Sequence, residues 1–124
     1  MSKEYYFEKA LSWVSNKSKT SIRGQMEGIE NTQVFKNKST GEEIQEDFSF
    51  ISQWGDKSFT EIGLKTENPQ KLITRWKLLS LMASIKNGKL YLLTSKGHKM
   101  FTQKLIENNK INATIHALWQ LAFL

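Results

Sequence analysis

The sequence contains no cysteine, which excludes a disulfide framework, a thiolate zinc site and thiol-based catalysis. It has only two histidines, His98 and His116, so a metal site built from several histidines is excluded as well. No apolar run approaches the roughly 20 residues that a membrane-spanning helix needs. The first residues lack the apolar core of a signal peptide, and we therefore expect a cytoplasmic protein with no membrane partner.

The composition is that of a globular domain. Hydrophobic residues make up 39% and charged residues 24% of the 124 positions, which excludes wholesale disorder. A chain of this length can bury a core without disulfides or metals, and we expect a single domain over residues 1–124. The mostly apolar tail, residues 119–124, favours packing on the body of the domain or in a homo-oligomer.

The positive charge is concentrated in the second half of the sequence. Residues 1–62 hold 8 basic and 10 acidic side chains, whereas residues 63–124 hold 10 basic and 2 acidic ones. Segregation of this kind is typical of a protein that binds a polyanion, and it predicts a nucleic-acid partner, with DNA preferred. The alternative is a solvated, lysine-rich surface without a specific partner.

Hydrophobic periodicity predicts an α/β fold with a central mixed β-sheet flanked by helices. Helices are predicted for residues 3–15, 69–86 and 95–109, the second of which begins at an Asn68-Pro69 start signal. The element order is α-β-β-β-α-β-α-β, and its alternating second half predicts right-handed crossovers between parallel strands. Six segments are candidate strands, one more than this order contains, and they cover residues 20–28, 32–36, 42–53 (also compatible with a helix), 58–66, 89–94 and 111–118.

Two of these candidate strands carry a set of charged residues. Residues 46–51 read Glu-Asp-Phe-Ser-Phe-Ile, and residues 59–66 read Phe-Thr-Glu-Ile-Gly-Leu-Lys-Thr. With the element order, they resemble the PD-(D/E)XK, or restriction-endonuclease-like, nucleases, which include small resolvase-type enzymes. The similarity covers roughly residues 3–118.

The resemblance implies a magnesium-dependent DNA endonuclease. Asp47 and Glu61 would hold Mg²⁺, Lys65 would orient the attacking water, and Glu8 on the first helix would assist. Magnesium suits such a site because it prefers oxygen ligands, activates water and stabilises charge on the phosphate oxygens.

The sequence departs from the family pattern in three places. Glu46 stands where the family usually has proline. The family also has an acid-x-lysine spacing, which puts two side chains about 6.6 Å apart on one face of a strand, whereas Glu61 and Lys65 would be about 13 Å apart. Gly63 lies between them, at the position of the missing acid or lysine. Binding without cleavage and a catalytically inactive structural or assembly role therefore stay open.

Basic residues of the second half are the candidate nucleic-acid contacts, namely Lys71, Arg75, Lys96 and Lys99. A winged-helix DNA-binding regulator is a rival interpretation, because residues 59–75 resemble a helix-turn-helix and Asn87-Gly88 could turn a wing hairpin. The strongly apolar segment 78–83 weighs against it, since a recognition helix needs an exposed polar face.

Overall fold

The computed structural model describes residues 3–17, 21–26, 29–36, 38, 41, 43–52, 54–95 and 97–117. Within these residues the helices are α1 (Lys3–Lys17), α2 (Pro69–Ile85) and α3 (Lys99–Asn108). The strands are β1 (Ile22–Gly24), β2 (Val34–Lys36), β3 (Glu43–Gln45), β4 (Phe48–Ile51), β5 (Lys57–Ile62), β6 (Asn87–Thr94) and β7 (Thr114–Ala117). Lys96 and the tail 119–124 lie outside the described residues.

The main sheet has five strands in the order β1-β4-β5-β6-β7. β1, β4 and β5 pair antiparallel, and β5, β6 and β7 pair parallel. The predicted α/β class and the order α-β-β-β-α-β-α-β are confirmed for the elements of this sheet. β2 and β3 form a separate two-stranded sheet inserted between β1 and β4.

The alternation of side chains along each strand divides the core into two layers. Phe48, Phe50 and Leu93 pack with α1 on one face. On the other face α2 packs against Phe59 and Leu92, and α3 packs there as well. The buried residues of this second layer are Ile44, Phe59, Trp76, Leu79, Ala83, Leu90, Leu92 and Ile111. Both faces of β6 are therefore covered, as its continuous apolar run predicts.

The predicted strand over residues 42–53 is wrong as a single element. β3 ends at Gln45 and pairs only with β2, while β4 begins at Phe48 and belongs to the main sheet. The interruption falls at Glu46 and Asp47, because the N–H of Asp47 donates to the side-chain carboxylate of Glu61 and not to a main-chain carbonyl of β5.

The predicted strand over residues 58–66 also ends early, at Ile62. Gly63 still donates its N–H to the carbonyl of Leu93 at 2.8 Å, but the N–H of Lys65 donates to Nδ1 of His98 at 2.9 Å. The backbone thus leaves the sheet before Lys65, and Lys65 does not share a strand face with Glu61.

The winged-helix interpretation is wrong. Residues 57–62, which should form the first helix of the helix-turn-helix, form the buried strand β5. The supposed wing, around Asn87-Gly88, is the start of β6, which pairs with β5 and β7 in the centre of the sheet.

Candidate functional site

The two carboxylates that the sequence predicts as a pair come together at the start of β4. Because Phe48 is paired with Thr60, the preceding residue Asp47 lies opposite Glu61. The N–H of Asp47 donates to Oε2 of Glu61 at 2.7 Å, and the N–H of Ile62 donates to Oδ2 of Asp47 at 2.9 Å. Asp47 and Glu61 are each 1% exposed. Each carboxylate is therefore held by the backbone of the opposite strand and is shielded from solvent.

Arg75 of α2 provides the positive charge for this pair. Its Nε donates to Oε1 of Glu61, and its terminal NH2 donates both to the Gln45 carbonyl and, at 3.1 Å, to Oε2 of Glu61. Burial by itself lowers the pKa of Arg75, but the charge and hydrogen bonds of Glu61, with Asp47 and Glu46 nearby, raise it overall. The guanidinium is therefore a fixed cation bound to Glu61 at both oxygens.

The donor set around Asp47 and Glu61 does not suit magnesium in this arrangement. Oxygens that Mg²⁺ would need already accept hydrogen bonds from backbone N–H groups and from Arg75. The described residues contain no group of three histidine, aspartate or glutamate side chains that could hold a metal ion. Glu8 is exposed on α1, the helix of the opposite layer. Magnesium binding and the Glu8 role stay predictions without support from this geometry.

The position of the missing lysine, Gly63, is filled by its neighbours. A Cβ at Gly63 would lie 2.8 Å from Oγ1 of Thr102 and 2.9 Å from Cγ2 of Thr94. Distances below 3.0 Å require one of the groups to shift, and threonine side chains are short and stiff at χ1. The space into which a lysine at position 63 would extend is therefore occupied by α3 and the end of β6.

Lys65, the other predicted catalytic residue, is exposed in the connection between β5 and α2. The ring of His98, which accepts the Lys65 N–H, lies edge-on to Tyr6 with ring centroids 6.3 Å apart. Burial and the nearby charge of Lys65 lower the pKa of His98. Within the described part of the chain, Lys65 forms no ion pair with Asp47 or Glu61.

Exposed lysines gather where the parallel strands β5 and β6 end. Lys65 follows β5, Lys71 is in the first turn of α2, and Lys99 is the first residue of α3. Both helices begin at this end of the sheet, so their unpaired N–H groups and positive dipole ends lie near the same lysines. We call Lys65, Lys71 and Lys99 the basic edge.

Glu46 is a buried acid next to Asp47, and the sequence did not indicate that it belongs to the cluster of Asp47, Glu61 and Arg75. It is 0% exposed, and neither carboxylate oxygen has a hydrogen-bond partner of acceptable geometry among the described residues. Burial raises its pKa, and Glu61 adds to the rise; the Glu46 N–H, Lys57 and the Ser49 hydroxyl oppose it only in part. The signal in the sequence was an acid between Ile44 and Phe48, two apolar residues at alternating positions.

Replacing Glu46 with glutamine is expected to stabilise the protein by about 1–2 kcal/mol at pH 8 and to have little effect near pH 4. The pKa of Glu46 is raised in the folded state above the ordinary value of 4.5, so the unfolded chain ionises first as the pH rises. The free energy of unfolding of the wild-type protein therefore falls as the pH rises from 4.5 to the folded-state pKa of Glu46. Glutamine does not ionise, so the variant does not show this fall. Urea denaturation of both proteins at each pH measures the difference.

Glu43→Gln is the matched control, because Glu43 is exposed on β3, three residues before the buried acid. Its effect on the free energy of unfolding should be small at both pH values. An equal effect of Glu46→Gln at pH 4 and pH 8 would contradict the expectation.

Comparison of the chain with protein-family models, with curated proteins and with solved structures finds no match. None of the described helices is both long and apolar enough to cross a membrane. The functional interpretation therefore depends on the residues and contacts of the chain itself.

Proposed function

We propose that this protein binds the phosphate backbone of nucleic acid, with DNA preferred, through its basic edge, and that it does so without cleaving the strand. The observation that carries the proposal is the gathering of Lys65, Lys71 and Lys99 beside the first turns of α2 and α3. Lysines and helix N-termini are both among the groups that contact and position a phosphate backbone.

The acids at this edge only partly offset its lysines. Asp47 and Glu61 are buried, and Glu61 is paired with Arg75, so these two do not present negative charge to a ligand at the surface. The exposed acids here are Glu67, two residues after Lys65, and Glu43, which is near Lys71. Lys71 also lines a cavity of about 340 Å³, together with Glu43, Ile44, Leu72 and Arg75, which gives the edge a concave flank.

Binding without cleavage agrees better with the site than hydrolysis does. Glu61 is bound to Arg75, Asp47 accepts a backbone N–H, and the position that should carry a lysine is filled by Thr102 and Thr94. The element order keeps its resemblance to the PD-(D/E)XK nucleases, and we propose that this chain is a member of that architecture with an inactive site.

A triple variant, Lys65→Gln with Lys71→Gln and Lys99→Gln, is expected to weaken binding to a DNA duplex at least tenfold. Each lost phosphate contact should also reduce the slope of log K against log salt by about 0.9. Fluorescence anisotropy with a labelled duplex, over a series of salt concentrations, measures both quantities.

The control replaces three other exposed lysines, Lys89, Lys104 and Lys110, with glutamine. Lys89 is near the start of β6, Lys104 is within α3, and Lys110 follows α3, so none lies at the basic edge. The net charge of the two variants is the same. Equal weakening in both would show that only total charge matters and would contradict a defined interface.

Incubation of supercoiled and linear DNA with Mg²⁺ or Mn²⁺ tests the absence of cleavage. We expect no nicking by the wild-type protein and unchanged DNA binding by Asp47→Asn. Metal-dependent cleavage that is lost in Asp47→Asn would instead establish the endonuclease and a role for Asp47 in it.

A further inference from the structure

A second basic site lies away from the basic edge, where β1, β4 and β5 are covered by the segment that leads into β2. A cavity of about 270 Å³ opens there, on the side of the sheet where β1 is an edge strand. The register pairs Arg23 with Ser49 and Ile51 with Lys57, so the strands place these four residues next to one another. The cavity lining consists of Ser21, Arg23, Glu30, Gln33, Ser49, Ile51 and Lys57.

The positive charges of this cavity are only partly compensated. Lys57 donates to Oε1 of Gln33 at 3.3 Å and lies over the Phe59 ring, and it forms no ion pair within the described residues. Arg23 pairs with Glu30 at 3.3 Å, but the Glu30 side chain is 70% exposed. Two cations therefore face one solvated acid, Glu30, and Lys57 also feels the charge of the buried Glu46.

The electrostatics of Lys57 agree with this count. Burial lowers the pKa of Lys57, the charge of Glu46 partly opposes the change, and the charges of Arg23 and Lys86 lower it further. A bound anion would relieve the repulsion between Arg23 and Lys57. The lining also offers the Ser21 hydroxyl as a donor to a group with several acceptor oxygens, whereas the Ser49 hydroxyl is next to the Glu46 carboxylate.

We propose that this cavity binds a phosphate group, with Arg23 and Lys57 as its charged contacts and the Ser21 hydroxyl as a neutral donor. Arginine matches the geometry of phosphate oxygens, and lysine adds a point charge. The volume is slightly below that of typical small-molecule pockets, and it accommodates a phosphate with a short attached group beside the apolar wall of Ile51. Glu30 then acts as a competitor that occupies Arg23 when no phosphate is bound.

Calorimetric titration with inorganic phosphate, pyrophosphate and a nucleoside monophosphate, at constant ionic strength, tests the proposal. Arg23→Gln and Lys57→Met should each weaken binding about tenfold or more, because each removes a charge-assisted hydrogen bond. Glu30→Gln should strengthen binding severalfold, since it removes the competing carboxylate. Lys104→Gln and Glu107→Gln, both exposed on α3, are charge-matched controls and should leave binding unchanged.

The source of the phosphate is distinguished by a parallel titration with a short oligonucleotide. If all three variants change the affinity for the small phosphates, the ligand is a free metabolite. If they change only the affinity for the oligonucleotide, the ligand is a backbone phosphate. The proposal would be overturned if neither probe showed binding that depends on Arg23 and Lys57, or if Glu30→Gln left the affinity unchanged.

Further controls distinguish the loss of phosphate binding at this cavity from unfolding of the variant and from binding at the basic edge. Lys57→Met keeps an unbranched side chain beside Phe59, and thermal unfolding checks its fold. Glu30→Gln changes an exposed residue outside the strands, so its effect can be measured even if Lys57→Met is unstable. The triple lysine variant of the basic edge should retain binding of small phosphates.

Discussion

Replacing Arg75 with methionine is expected to lower the free energy of unfolding by about 3 kcal/mol. Methionine retains much of the apolar volume of arginine but leaves the Glu61 carboxylate buried, with the Asp47 N–H as its remaining donor among the contacts described above. An uncompensated buried charge costs more than the lost contact itself, because the carboxylate cannot regain its hydration. Urea denaturation at neutral pH measures the change.

A double-mutant cycle separates this cause from lost packing. Arg75→Met combined with Glu61→Gln should recover a large part of the loss, because the buried group is then neutral. Lys71→Met, one turn earlier on α2 and exposed, should change stability by less than about 0.5 kcal/mol. If Arg75→Met were as mild as Lys71→Met, the guanidinium would not be compensating Glu61.

Placing lysine at Gly63, which restores the acid-x-lysine spacing after Glu61, is expected to destabilise the fold by more than about 3 kcal/mol. The new Cβ meets Thr102 and Thr94 at less than 3.0 Å, and the rest of the side chain then brings a charge into a buried region. We expect no metal-dependent DNA cleavage from this variant, which thermal unfolding and a nicking assay would check together.

Two further variants separate the effect of the Cβ at position 63 from the effect of the lysine charge. Gly63→Ala introduces only the Cβ and should cost about 1–3 kcal/mol, less than lysine at the same site. Gln70→Lys adds the same side chain at an exposed position of α2 and should be nearly neutral. A stable Gly63→Lys protein that cleaves DNA with Mg²⁺ would show that the site needs only its lysine to act as a nuclease.

The elements with strong local signals were predictable from the sequence. The Asn68-Pro69 start identifies the beginning of α2, and the uninterrupted apolar run of residues 90–93 identifies β6 as a strand covered on both faces. Apolar content was a poorer guide to which sides of α2 are buried. Leu81 and Ile85 of this largely apolar helix are nevertheless 59% and 68% exposed.

The site was only partly predictable, because its decisive contacts join residues far apart in the sequence. Alternation from Ile44 to Ser52 continues through Asp47, so nothing local indicates that its N–H is taken by a side chain 14 residues later. Arg75 lies four residues after Lys71, and the sequence assigned both to phosphate. Only the packing of α2 on β5 shows that Arg75 binds Glu61 instead.

The bond from Arg75 to the Gln45 carbonyl has a consequence for sequence divergence, because it attaches the end of β3 to α2 as well as to Glu61. A lysine at position 75 has no planar fork with which to reach two acceptors at once. In homologous chains we therefore expect positions 61 and 75 to covary, so that loss of the arginine accompanies loss of the acid. Gln45 meets Arg75 through its main chain, whereas its side chain donates to Oδ1 of Asn31 and to the Thr32 carbonyl, so the residue type at position 45 should follow the segment before β2 and not Arg75.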